Sequence, residues 1–172
     1  MFLAFFIKDL KFDYDFESFF AENDQGTKFF NEHRNRFESD NDFIFISAEN
    51  KTGVFEYEFL KNVSEFVDTL EKDTLVKSIA CLTNMDDFVK VPYSPAVFKI
   101  PYLSICDSCD FTMDSIKIFS RPELKGMFIN KDATGLLIYI KHEEKISKSS
   151  CDILKTKIDN LLIEYSITES HY

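Results

Sequence analysis

The fold is decided by Phe43-Ile44-Phe45-Ile46 and by the run FEYEFLKNVSEFVDTLEK that follows at residues 55–72. The first run is continuously apolar and is bounded by polar residues, which predicts a strand covered on both faces. In the second run, apolar residues recur every three or four positions, which predicts an amphipathic helix. Its apolar stripe consists of Phe59, Leu60, Val63, Phe66, Val67 and Leu70. Residues 75–82 then predict a second strand, so this region is a strand–helix–strand unit.

A second unit of the same kind lies towards the end of the sequence. Residues 126–129 and 136–140 flank a turn and predict a β-hairpin. Ser149 and Ser150 predict the N-terminus of a helix at residues 151–166. The apolar face of this helix consists of Leu154, Ile158, Leu161, Leu162 and Tyr165. After the helix we expect only the beginning of a last strand.

Together the two units predict an α+β fold with the ferredoxin-like order βαββαβ. Because both helices are amphipathic, we expect them to lie on one face of an antiparallel sheet. This domain is expected to occupy residues 41–172. Pro92, Pro95 and Pro101 interrupt the periodic pattern. We therefore expect an insertion at about residues 85–125, which includes a short helix.

The first forty residues predict a separate N-terminal region, made of an arm and a helix at residues 1–40. In the arm, apolar residues alternate with charged ones, which is typical of an extended segment with one buried face. The apolar members are Leu10, Phe12, Tyr14 and Phe16. Asn23 and Asp24 can cap the helix that follows.

Composition and charge limit the classes of partner. The chain has 30 acidic and 20 basic residues, a formal net charge of -10, and its field repels nucleic acid and anionic lipid surfaces. We therefore expect no nucleic-acid partner. Phe accounts for 20 of the 172 residues. Such a composition indicates a Phe-rich core, and the alternative is an aromatic wall along a path for apolar molecules.

The pattern Cys106-Asp107-Ser108-Cys109 is the candidate motif for redox or zinc chemistry. A catalytic dithiol requires its first cysteine at a helix N-terminus, and a zinc site requires a second pair of ligands. Neither context is visible in the sequence, so a local disulfide between Cys106 and Cys109, or two idle thiols, is the favoured interpretation. The sequence has no nucleophile elbow, phosphate loop or dinucleotide fingerprint. We predict no catalytic residues, no metal and no cofactor, and a protein that is not an enzyme.

The proline-interrupted segment 92–111 is the candidate contact region, because long ordered loops often carry binding residues. Its aromatic residues are the candidates for contact with a cargo molecule or a partner. They are Tyr93, Phe98, Tyr102 and Phe111.

Several segments, taken in order, resemble one family of membrane exporters. The run from Leu10 to Glu17, followed by Phe19-Phe20, resembles the segment after the first transmembrane helix of bacterial resistance-nodulation-division (RND) exporters. The mycobacterial membrane protein large (MMPL) and Patched-like branches are the most similar. Four further segments resemble the first porter strand, the next helix, the next strand and the later hairpin. They are Phe37 with 42–46, Val54-Phe55 with the helix after it, Val76 to Asn84 with its Leu82-Thr83-Asn84, and residues 124–132. His171-Tyr172 resembles the point where the chain returns to the membrane.

The resemblance covers nearly the whole chain and implies a function. It implies a porter-type domain between two transmembrane helices, on the periplasmic side of the bacterial inner membrane, with residues 1–40 leading from the membrane side. The implied partners are the transmembrane helices and second porter loop of the same transporter, a hydrophobic or lipid-like cargo, and further copies in an oligomer. The acidic proton-relay motif that the family carries within the bilayer has no counterpart here. The alternative is a free-standing ferredoxin-like binding or interaction module.

Overall fold

The structure is a computed structural model that describes residues 24–37, 42–90, 96–143 and 146–169. The chain divides into two compact units, Met1–Asn41 and Asp42–Tyr172. In the first unit, α1 (Gln25–Phe37) begins after Asp24. The Asp24 carboxylate accepts hydrogen bonds from the backbone N–H groups of Gly26 and Thr27, at 2.9 and 3.4 Å. Asp24 is therefore the helix cap. The predicted arm at 10–16 lies outside the described residues.

The second unit contains both helices and antiparallel strands. Its elements in chain order are β1 (Phe43–Glu49), α2 (Tyr57–Leu70), β2 (Val76–Ala80), β3 (Asp86–Lys90), β4 (Val97–Pro101), α3 (Thr112–Phe119), β5 (Gly135–His142), α4 (Lys148–Glu164) and β6 (Thr168–Glu169). A four-stranded sheet has the order β2-β5-β1-β6, and β3 and β4 form a separate two-stranded ribbon. All of these pairings are antiparallel. The predicted α+β class with an antiparallel sheet is confirmed.

The helices α2 and α4 pack on the same face of the four-stranded sheet. Their apolar stripes belong to one hydrophobic cluster with alternate residues of the strands, among them Ile46 of β1 and Ile138 of β5. We call this the first core. Phe66 is fully buried there. Two polar contacts link α2 and the turn after it to α4 and its C-cap. The Thr69 hydroxyl lies 2.9 Å from the Tyr165 hydroxyl, and Lys157 Nζ, from the middle of α4, lies 2.6 Å from Asp73 Oδ2.

A second hydrophobic cluster is formed mainly by the segment between β2 and β5. We call this the second core. Its fully buried members include Leu60 from α2, Ile118 from α3 and Leu136 from β5. The segment predicted as an insertion is therefore a packed layer against the ends of α2 and β5. It contains the ribbon β3–β4, which the sequence pattern did not predict.

The turn after β2 depends on Asn84. Its side-chain amide accepts a hydrogen bond from the Cys81 backbone N–H and donates to the Ile79 carbonyl, both at 2.9 Å. It also donates to Glu71 at 2.9 Å. Asn84 thus joins the end of β2 to the residue that ends α2, which accounts for an amide side chain at this position.

Three local predictions need correction. Ser147, not Ser149 or Ser150, caps α4: its hydroxyl accepts a hydrogen bond from the Ser150 backbone N–H. The first arm of the predicted hairpin is a series of turns rather than a strand, and its Ile129 forms isolated bridges with Leu136 and with Lys125. The strand β1 is covered on one face only. Within the described residues, no helix has the length and apolarity needed to cross a bilayer.

Candidate functional site

The open face of the four-stranded sheet carries an aromatic row. Along β1, side chains alternate, so Ile46 and Ala48 face the helices and Phe43 and Phe45 face the other way. Phe45 is 58% exposed and Phe43 is 37% exposed. Antiparallel register places Tyr139 of β5 directly opposite Phe45. We call Phe43, Phe45 and Tyr139 the aromatic sheet face.

The rings of the aromatic sheet face contact one another in sequence. The Phe43 and Phe45 ring centroids are 6.3 Å apart in a stacked arrangement, and Phe45 meets Tyr139 edge-on at 5.1 Å. Phe128, from the turn segment, packs against Tyr139 at 5.0 Å. These separations are in the range of favourable aromatic pairs. Each ring is therefore oriented by its neighbour, and Phe45 in the middle keeps the largest free surface.

Polar groups hold the two ends of this face. The Tyr139 hydroxyl donates a hydrogen bond to the Met127 carbonyl at 2.8 Å, and burial raises the pKa of Tyr139. Lys141 lies opposite Phe43 in the register, and its Nζ is 5.3 Å from the Phe43 ring centroid. The lysine is only 6% exposed, so its ammonium group is held beside the ring. The exposed part of this face therefore consists of apolar rings, which suits the apolar part of a ligand.

The structure separates the predicted contact residues. Phe98 lies on β4 and is 56% exposed. Tyr102 and Phe111 are buried in the second core, where they pack inward. Phe111 and Cys109 also line a shallow depression of about 330 Å³. Tyr93 lies outside the described residues. A contact role for these four residues stays a prediction, and Phe98 is the described member that offers an exposed surface for it.

Tyr102 belongs to a polar cluster at the base of the ribbon. Arg121 donates from one nitrogen to both carboxylate oxygens of Asp87, at 2.8 and 2.9 Å, and the Tyr102 hydroxyl donates to the same carboxylate at 3.5 Å. Lys117 Nζ lies 3.6 Å from Asp87 and 4.9 Å from the Tyr102 ring centroid. Burial, and then the charge of Asp87, raises the pKa of Tyr102. Each of these side chains contacts another side chain of the cluster. The cluster therefore joins β3 to α3 and does not form an open site.

The CxxC motif lies in the loop that precedes α3. Cys106 and Cys109 form a disulfide, and the Cys109 backbone N–H donates to the Cys106 carbonyl at 3.1 Å. Cys106 is not in the first turn of α3, so the helix does not stabilise a thiolate there. Among the described residues, no three His, Cys, Asp or Glu side chains come together as a metal site would require.

Sequence reasoning missed the aromatic sheet face and the cluster around Asp87. The signal for the first was present, because Phe43 and Phe45 alternate with Ile44 and Ile46, and only the aromatic pair is exposed. Because residues 43–46 are all apolar, the alternation of aromatic and aliphatic side chains is hidden within a continuous apolar run. The pairing of Asp87 with Arg121 spans 34 positions and leaves no local pattern.

Comparison with known proteins adds no assignment for this site. No protein-family model matches the chain, and it matches neither a curated protein nor a solved structure.

Proposed function

We propose that this chain is a porter-type, extracytoplasmic domain of an RND-type exporter of the MMPL-like branch, with a ferredoxin-like core. The observation that supports the proposal is the strand order of the sheet. In chain order, the four strands of this sheet are β1, β2, β5 and β6. Across the sheet they lie as β2-β5-β1-β6, so the first strand in the chain is flanked by the third and the fourth. A βαββαβ ferredoxin-like domain is expected to have this order, and to have both helices on one face of the sheet, as α2 and α4 are. These two features support the proposal.

In this proposal the domain binds and gates cargo and performs no chemistry. Porter-type lobes move as rigid bodies, so a surface that opens or closes between lobes controls access. The aromatic sheet face is the surface that would meet an apolar or amphipathic cargo, because its rings are exposed and ordered by their neighbours. The transmembrane helices and second porter loop of the same transporter would be the partners on the periplasmic side of the inner membrane.

Fractionation of the native protein tests the exporter proposal. An antibody raised against this chain should detect a carbonate-resistant membrane protein much larger than 20.1 kDa in cells of the source organism. Protease added to spheroplasts should degrade the epitope without cell lysis, because a periplasmic domain is accessible from outside. A soluble antigen of about 20.1 kDa would instead contradict the proposal.

That second outcome would favour a free-standing ferredoxin-like binding module. The observation that favours this alternative is the exposed apolar surface of the second unit, which suits a docking partner without any membrane helix. Both candidates use the same core and differ in what the chain is attached to.

The cargo role of the aromatic sheet face has its own test. Titration with the neutral apolar dye N-phenylnaphthylamine should give weaker binding for Phe45→Ser than for the unchanged chain. We expect a loss of about tenfold, since one exposed aromatic contact is removed. The matched control is Ile163→Ser, because Ile163 is 78% exposed on α4, a different element. Equal binding by both variants would exclude the aromatic sheet face as the dye site.

A further inference from the structure

The ribbon of β3 and β4 carries an unusual density of exposed apolar side chains. Five of its ten residues are large hydrophobics with at least 40% of their surface exposed. They are Phe88 at 68%, Val89 at 40%, Val97 at 57%, Phe98 at 56% and Ile100 at 43%. Single exposed hydrophobics are common, but a cluster within one short element indicates a contact surface.

Strand register assigns these side chains to both faces of the ribbon. Val89 pairs with Phe98, and Ile100 lies on the same face two positions along β4. Phe88 and Val97 point to the opposite face. A ribbon that lay flat on a protein would need only one apolar face. Apolar residues on both faces favour an environment that surrounds the ribbon.

The exposed charges of the ribbon are cationic, although the whole chain carries -10. Lys90 is exposed, and the Lys99 side chain is 66% exposed. The two acidic residues are less exposed and paired: Asp86, with 23% of its side chain exposed, lies 2.6 Å from Lys99, and Asp87, with 7% exposed, is held by Arg121. Lys99 therefore offsets the charge of Asp86, and Lys90 adds a positive charge to the ribbon. Lys90, Lys99, Phe88 and Val97 share one face, because Phe88 pairs with Lys99 and Lys90 with Val97.

The base of the ribbon is fixed to the second core. The Tyr102 backbone N–H donates to the Met85 carbonyl at 3.1 Å, which continues the pairing beyond the strands. Asp87 and Arg121 join β3 to the segment after α3. The apolar and cationic residues are therefore presented on a rigid support.

We propose that the β3–β4 ribbon docks on a lipid bilayer surface that contains anionic phospholipid. The lysines would meet the phosphates, and the aromatic and aliphatic side chains would enter the interfacial layer. The outer edges of a two-stranded ribbon keep unpaired backbone N–H and C=O groups, so the ribbon stays at the depth of headgroups and water rather than in hydrocarbon. This inference goes beyond the exporter function, because it depends on the ribbon alone.

The net charge of the chain does not override this local arrangement. At physiological ionic strength, charges more than about 8 Å from the membrane surface are largely screened. The exposed lysines of the ribbon then dominate the electrostatic interaction when the ribbon contacts the membrane. A second copy of the chain is the less favoured occupant. A symmetric contact through the face of Phe88 and Val97 would bring Lys90 and Lys99 towards the same lysines, and a contact through the opposite face would leave Phe88 and Val97 exposed.

Vesicle flotation with the full 172-residue chain tests the proposal. The chain should float with vesicles of equal parts phosphatidylcholine and phosphatidylglycerol, and more weakly with phosphatidylcholine alone. Phe88→Ser with Phe98→Ser should reduce binding tenfold or more, because two interfacial aromatics are lost. Lys90→Gln with Lys99→Gln should reduce binding to the anionic vesicles about fivefold for each lysine, and raised salt should act in the same direction.

Ile163→Ser is the matched control, since it removes an apolar side chain that is 78% exposed on α4, a different surface, and should float like the unchanged chain. Circular dichroism establishes that each variant is folded, and the lysine variant decides the matter if the double serine variant does not fold. The proposal is overturned if the unchanged chain stays with the buffer, or if both ribbon variants float normally. It is also overturned if light scattering finds a dimer that the ribbon substitutions abolish while no vesicle binding occurs.

Discussion

The two cores of the second unit are built in different ways. The first core is made by two long helices and the four-stranded sheet, and its members repeat at the spacing of each element. The second core is made by one short helix, several turns and the ends of other elements. In the second core, the pair of Asp87 with Arg121 joins β3 to the segment after α3, and a disulfide closes the short loop before α3. Apolar periodicity stabilises the first region, and specific polar or covalent contacts position the second.

The largest expected effect is in the first core. Phe66→Ala should lower the free energy of unfolding by about 3–5 kcal/mol, because it leaves a cavity between α2 and the sheet at a fully buried position. Urea denaturation followed by circular dichroism measures this. Phe45→Ala is the control, and its effect should be less than half as large because Phe45 is already exposed. Equal effects would mean that the first core does not dominate stability.

The next prediction concerns the polar cluster of the second region. Asp87→Asn removes the carboxylate that accepts both short hydrogen bonds from Arg121. We expect Tm to fall by about 3–6 °C and amide hydrogen exchange to accelerate in β3 and β4, while α2 and α4 keep their protection. Asp86→Asn, which removes an exposed pair with Lys99, should change Tm by less than about 1 °C. Uniformly faster exchange across both cores would contradict the division into two regions.

The disulfide should have a smaller and more local effect. Replacing Cys106 and Cys109 together by serine removes a cross-link that closes a very short loop, which limits its stabilisation to about 2 kcal/mol. Hydrogen exchange should increase in the loop before α3, with little change in the first core. A matched Cys151→Ser variant controls for thiol loss at an exposed position. A loss of α4 protection in the double variant would show that the two regions unfold together.

The same difference explains what the sequence could predict. The helices α2 and α4, and the strands β1, β2 and β5, all follow from apolar periodicity or from short apolar runs between polar residues. The ribbon β3–β4 was not predicted, because its apolar residues are exposed on both faces and its prolines suggested a loop. The aromatic sheet face was hidden for a related reason: Phe43 and Ile44 are both apolar in sequence, and their environments differ because α2 and α4 cover only one face of the sheet.

A polar contact beside the first core has the smallest expected effect on stability. The hydrogen bond from Lys157 Nζ, followed by that from the Leu75 backbone N–H, lowers the pKa of Asp73 below its ordinary value of 3.8. The unfolded chain therefore takes up this proton at a higher pH than the folded chain. The stabilisation is fully present above the unfolded pKa and is lost as pH falls through the lower, folded pKa.

Thermal melts of Asp73→Asn across a pH series test this expectation. At neutral pH the variant should be less stable by about 0.5–1 kcal/mol, since Lys157 is partly exposed and such pairs contribute modestly. The difference in Tm should stay constant down to about pH 5 and shrink as the pH falls below 3.8. Asp159→Asn, which removes the exposed pair with Lys155 within α4, is the control for an ordinary surface charge. If the difference in Tm persists in acid, Asp73 stabilises the fold through hydrogen bonds that its protonated carboxyl group also makes. The first core would then depend on specific polar geometry much as the second does.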